Sequence, residues 1–167
     1  MAPHTVDPTG AFTASCGYDG AYPDALAVYC SDGRFTEAVE ELLRELGHAR
    51  LDTLTMPGGP GLLNLWSTGL AEHAVASNAA RFLVEKHGIV KAVLLAHEGC
   101  GYYRWLCPTA SPTRIRARQL DDLHAARGFL ADTHPGLAVE TFYANASGDR
   151  VSFERVAAEG ALGCVRK

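Results

Sequence analysis

The sequence contains no apolar run near the roughly 20 residues a membrane-spanning helix needs. That removes an integral helical membrane protein from consideration. It also lacks a strong charge of either sign. A net charge of -4 is mild, and without a strongly basic surface the chain is not a general nucleic-acid binder. Met1 to Cys16 has neither a basic start nor an apolar stretch; no secretory signal is visible, and a cytoplasmic protein is expected. No internal repeat or linker divides the chain. Its 167 residues fit one domain, since domains typically run roughly 100–200 residues. Finally, there is no disulfide framework. Cys16, Cys30, Cys100, Cys107 and Cys164 are odd in number and widely scattered. In a reducing compartment such cysteines are metal ligands, nucleophiles or inert core residues.

What is present alternates between two periodicities. After an irregular arm (1–24) rich in proline and glycine, Ala25–Tyr29 is a short apolar run suited to a strand buried on both faces. From Thr36, a plausible N-cap, Ala38, Val39, Leu42, Leu43 and Leu46 form a helical stripe that stops at Gly47. Arg50–Met56 reads as a second strand. Pro57–Gly61 reads as a loop that is either plain or an anion cradle ahead of a helix. Leu65–His87 is a long helix whose small residues allow close packing. Ile89–Ala96, the most apolar run, is a central strand.

Beyond it, Tyr102–Pro112 reads as a loop, and 113–133 as a helix with Ile115, Leu120, Leu123, Ala126, Phe129 and Leu130 inward. Leu137–Ala144 and Arg150–Val156 read as strands joined by a turn at Ser147–Asp149. The expected architecture is α/β, a mainly parallel central sheet flanked by helices. It occupies a single domain, 25–156, followed by a tail or short helix at 157–167.

Ligands of parallel sheets bind outside the carboxyl ends of the strands. Two chemically rich turns fall there: Cys30-Ser31-Asp32-Gly33-Arg34, and His97-Glu98-Gly99-Cys100-Gly101. If strands 25–30 and 89–96 are neighbours, the turns meet. Cys30, His97 and Cys100 then supply two thiolates and an imidazole. That is a zinc donor set with one position open, as in catalytic sites. Zinc lowers the pKa of bound water from ~15.7 to about 7. Asp32 would be kept ionised and oriented by Arg34. It could accept a hydrogen bond or proton from that water, or close the fourth position itself.

Cys-x-Asp-x-Arg after a buried strand, followed by His-x-x-Cys-Gly after a later one, resembles the β-class carbonic anhydrases. The likeness covers about residues 25–101, with a looser echo in Phe142–Ala144 and Val151–Phe153. It implies a mainly parallel sheet and a zinc ion on Cys30, His97 and Cys100. It also implies a catalytic Asp32–Arg34 dyad, reversible hydration of carbon dioxide to bicarbonate and a proton, and a homodimer or larger homo-oligomer. Where that family commonly carries an Asn-rich loop, this chain has Met56–Gly61. Where small residues are common, it has the bulky Tyr102–Cys107.

Three other readings stand beside this one. The same zinc site could hydrolyse carbonyl sulfide or carbon disulfide, which an aromatic rim would suit. The chain could be a non-catalytic zinc-binding protein with Asp32–Arg34 as a structural ion pair. A metal-free thiol enzyme on Cys30 ranks last, because Cys30 to Arg34 is too short for the phosphate loop of cysteine phosphatases. Cys16, Cys107 and Cys164 read as bystanders, as do His4, His48, His73, His87, His124 and His134. Arg114, Arg116 and Arg118 read as a solvated helix face. Tyr102, Tyr103 and Trp105 would line either a pocket or a subunit interface.

Overall fold

A computed structural model describes residues 10–157. Residues 1–9 of the arm, residues 158–167 of the tail and Cys164 lie outside them. The elements are β1 (Ala25–Tyr29), α1 (Gly33–Glu45), β2 (Asp52–Thr55), a 3-10 turn (Gly59–Leu63), α2 (Leu70–His87), β3 (Lys91–His97), α3 (Gly101–Leu106), α4 (Pro112–Thr133), β4 (Ala138–Ser147) and β5 (Arg150–Arg155). The five strands form one sheet in the order β2-β1-β3-β4-β5. β1, β2, β3 and β4 run parallel. β5 is antiparallel to β4 and closes the hairpin expected around Gly148.

Side-chain alternation along the strands builds two apolar layers. Leu26, Val28, Ala92, Leu94, Ala96 and Tyr143 face α2, α4 and the 3-10 turn. Ala27, Tyr29, Val93, Leu95, Phe142 and Ala144 face the other way, where Phe35, Val39 and Leu43 of α1 cover them. All five residues of β1 are buried, as the unbroken apolar run required. On α2 only Ala76 and Ala80 are fully buried. Their small size brings the helix close to the sheet.

Several boundaries differ from the sequence reading, each for a local reason. α1 begins at Gly33 rather than after Thr36, because the Asp32 side chain caps it by accepting the Arg34 N–H at 3.2 Å. Part of the expected 57–61 loop is a 3-10 turn, Gly59–Leu63. α2 begins only at Leu70. Residues 64–69 turn instead, with Asn64 and Ser67 bonded to the buried Asp122. Tyr102–Leu106 is helix rather than loop; six residues are too few to display a period, and burial of Tyr103 anchors the segment. Pro112 opens α4 instead of breaking the chain, since proline has no N–H to lose in a first turn.

Candidate metal centre

Register decides which chain ends meet. β1 and β3 are adjacent and parallel, with Tyr29 opposite Leu95. Cys30 therefore leaves the sheet at the level where β3 completes its last residues, Ala96 and His97. The turn after β3 passes Gly99 and returns Cys100 over the end of β1. The ligand atoms of Cys30, His97 and Cys100 all lie within 4.8 Å of one another. The two sulfurs are 3.8 Å apart. All three residues are buried, Cys100 at 1 % exposure. They are the one group of three or more such side chains placed to hold a metal ion among the described residues.

The histidine shows most clearly that the group suits a cation. Its Nδ1 lies 2.9 Å from the Glu98 carbonyl oxygen, to which an Nδ1–H donates. That tautomer leaves a lone pair on Nε2. Nε2 is buried and has no hydrogen-bond partner, an arrangement that is costly for a polar atom unless something fills it. The ring is braced by Phe35, whose centroid is 4.3 Å away. The Gln119 side-chain amide donates to the His97 carbonyl at 2.9 Å, and Tyr143 OH donates to Gln119 Oε1 at 3.1 Å.

The sulfurs are prepared in the same way. The Cys30 thiol is pulled well below the ordinary thiol range, first by a hydrogen bond with Cys100 and opposed by burial. The backbone N–H groups of Gly58 and Asp32 add to the lowering. Cys100 is pushed upward by the same pairing and by burial, although the N–H groups of Tyr103 and Tyr102 face its sulfur. Two thiolates 3.8 Å apart would repel each other. A divalent ion removes that conflict. Two sulfurs and one imidazole nitrogen match the donor preference of zinc.

Asp32 and Arg34 stand at the mouth. Arg34 Nε donates to Asp32 Oδ1 at 2.9 Å and Nη2 to Oδ2 at 2.5 Å. Nη2 also reaches the Gly99 carbonyl at 3.3 Å, tying the dyad to the second turn. These bonds are the first cause that holds the Asp32 carboxyl at about 2. Its Oδ2 is 4.0 Å from His97 Nε2, the ring nitrogen that has no hydrogen-bond partner. The Asp32 side chain is 18 % exposed and that of Arg34 67 %, so the guanidinium faces solvent and the carboxylate faces inward.

Neither Cys16 nor Cys107 joins this group. Cys16 is exposed, and the Cys107 sulfur accepts from Arg118 at 2.9 Å. Arg118 also donates to the Ser67 carbonyl, so it turns inward rather than belonging to the expected solvated face. Arg116 pairs with Glu154 and lies over the Tyr143 ring. His87 pairs with Asp52, and His73 contacts the Leu62 carbonyl. The aromatic rim divides: Tyr103 is buried, Tyr102 borders an apolar groove of about 360 Å³, and Trp105 is 74 % exposed.

Sequence reasoning missed Gln119 and Asp122, both buried on α4 at 1 % exposure. Asp122 accepts from Tyr103 OH at 2.6 Å, from Asn64 Nδ2 at 2.7 Å and from the Ser67 hydroxyl. The signal was present. Counting from Ile115, the two fall four and seven residues on, within the inward stripe of the helix.

No family model matches the chain, and no curated protein matches it. Solved structures do. One of two tetrameric β-carbonic anhydrases from Sordaria macrospora is 19 % identical with a TM-score of 0.50, over 80 % of this chain and 81 % of that one. The β-carbonic anhydrase CcaA gives 15 % identity and a TM-score of 0.54, over 85 % and 80 %. Isoform I from Trichomonas vaginalis gives 14 % and 0.52, over 83 % and 86 %. The fold is that of the β-carbonic anhydrases. Within this fold, Cys30, His97 and Cys100 stand just where β1 and β3 end.

Proposed function

We propose that the chain is a zinc-dependent carbonate dehydratase, catalysing reversible hydration of carbon dioxide to bicarbonate and a proton. The observation that carries this reading is the convergence of two thiols and an orphaned imidazole nitrogen within 4.8 Å, with an Arg-held carboxylate at their mouth. Cys30 Sγ, Cys100 Sγ and His97 Nε2 would hold the ion. When bound, zinc supplies the Lewis acidity that makes water nucleophilic near neutral pH.

The remaining work belongs to side chains. Glu98 and Gln119 fix the His97 ring and backbone, so the nitrogen lone pair is aimed in advance. Arg34 occupies both Asp32 oxygens, fixing the carboxylate plane and keeping it ionised. A carboxyl held at about 2 is a poor proton store at neutral pH. Asp32 therefore orients the attacking water by accepting its hydrogen bond, and the product proton leaves to another acceptor.

We read the active form as a homo-oligomer in the cytoplasm. Exposed apolar side chains support the first part: Leu70 is 77 % exposed, Val75 60 % and Trp105 74 %. Among the described residues, no helix is long and apolar enough to cross a membrane. Hydrolysis of carbonyl sulfide or carbon disulfide is the second reading, favoured by the apolar packing of Tyr102, Tyr103 and Ile115 around Cys30 and Cys100. Stopped-flow carbon dioxide hydration run beside a hydrogen sulfide release assay separates the two. Sulfide release without hydration would replace the first reading by the second, and neither activity in zinc-loaded protein would leave a non-catalytic zinc protein.

A further inference from the structure

The Pro57–Gly61 turn lies against the end of β1: Gly59 abuts the Cys30 backbone, and Gly58 and Gly61 abut the side chains of Tyr102 and Tyr103, which follow Cys100 in the chain. A Cβ on Gly59 would fall 2.7 Å from the Cys30 backbone nitrogen and 2.8 Å from the Tyr29 carbonyl carbon. Backbone cannot yield there, so the turn and the end of β1 touch only because position 59 has no side chain. A Cβ on Gly58 would run into the Tyr102 ring, and one on Gly61 into Tyr103 Oη. Gly58 and Gly59 also have φ of 87° and 55°, which disfavour other residues.

The turn is tied to the strand end by hydrogen bonds. Met56 N–H donates to the Tyr29 carbonyl at 3.4 Å, Ser31 N–H to the Met56 carbonyl at 3.3 Å, and Gly59 N–H to the same carbonyl at 2.8 Å. Tyr102 and Tyr103, the side chains against which Gly58 and Gly61 pack, lie in the first turn of α3, directly after Cys100. One turn therefore abuts both thiol-bearing segments.

We infer that Gly58, Gly59 and Gly61 are positioning residues: their turn is a ledge that fixes the Cys30 strand end against the Cys100–Tyr103 turn, so that the two sulfurs are spaced for a metal ion before one arrives. The ledge keeps the ligand set preorganised, which slows metal loss. The inference rests on the metal-site reading above and extends it to residues that bind nothing themselves.

The test uses the full zinc-loaded chain and follows release of zinc to a coloured chelator, with the visible spectrum of the cobalt-substituted protein as a second readout. Gly59→Ala should speed release at least tenfold and shift the cobalt bands. Gly47→Ala is the control. Gly47 also has positive φ, 89°, but open space around its Cβ position. That variant should lower thermal stability while leaving release within twofold and the cobalt spectrum unchanged. If Gly59→Ala does not fold, Gly58→Ala decides. It should speed release, and adding Tyr102→Ala, which removes the crowded ring, should slow release again at least threefold relative to the single variant. Release within twofold of the native rate in the ledge variants, or equal acceleration by Gly47→Ala, overturns the inference. A native chain that takes up no metal overturns the metal-site reading instead.

Discussion

Replacing Asp32 in two ways separates its structural work from its chemical work. The side chain caps α1 through the Arg34 N–H and pairs with the Arg34 guanidinium. Asp32→Ala removes both. Loss of an N-cap costs ~1 kcal/mol, and a largely solvent-facing pair adds between 0 and about 1 kcal/mol. The expected loss in urea unfolding at pH 7 is therefore about 1–2 kcal/mol. Asp32→Asn keeps the cap, because asparagine caps as well as aspartate, and should stay within about 1 kcal/mol of the native protein. Both variants lose the charged acceptor at the site. Loss of a group that positions a reactant costs ~10²-fold, so kcat/KM for carbon dioxide hydration should fall ~100-fold in each.

The pH dependence follows in sign. Arg34 depresses the folded-state carboxyl from 3.8 to about 2. The advantage of the native chain over Asp32→Ala is then whole above pH 3.8 and lost as pH falls through about 2. It is measured on metal-free protein, so that acid release of zinc does not intrude. Native turnover by a folded Asp32→Asn would refute the chemical role. Unchanged stability of Asp32→Ala would refute the capping role.

Three further outcomes are expected. Leu94→Ala, at the centre of β3 and 0 % exposed, should cost about 2–5 kcal/mol in denaturant unfolding; a loss below about 1 kcal/mol would contradict the packing described. Tyr103→Phe removes one of three donors to the buried Asp122 and should cost about 1–3 kcal/mol, whereas a stabilised variant would show that the network is not as drawn. Cys100→Ser should drop bound zinc far below one per chain by elemental analysis while near-ultraviolet circular dichroism keeps the native signature. Full zinc content in that variant would remove Cys100 from the ligand set.

The candidate metal group was legible because its three side chains sit at strand ends, and strand ends are marked by abrupt changes of periodicity. Cys30 closes an apolar run and His97 closes another. Once those runs are neighbours in a parallel sheet, the residues meet. What escaped notice depends on contacts that sequence spacing does not encode. Thr36 looked like the helix cap because hydrophobic periodicity starts there, yet the Asp32 carboxylate captures the chain four residues earlier. α3 is too short to carry a period and is held by the burial of Tyr103. The glycines at 58, 59 and 61 announced a turn, but not that it passes within contact of the Cys30 backbone and two tyrosines. Gln119 and Asp122 were visible as polar residues on an inward stripe. Their partners, His97, Tyr143, Tyr103 and Asn64, are brought to them only by the packing of α4 on the sheet.

Carbon dioxide hydration titrated against zinc content tests the account most directly. Zinc is stripped by chelation at neutral pH, returned in steps, and the stopped-flow rate is read at each step. The site of Cys30, His97 and Cys100 predicts a rate near background without metal that rises in proportion to zinc and stops rising at one ion per chain. Full activity in the stripped protein, or a background rate with one zinc bound per chain, would contradict it.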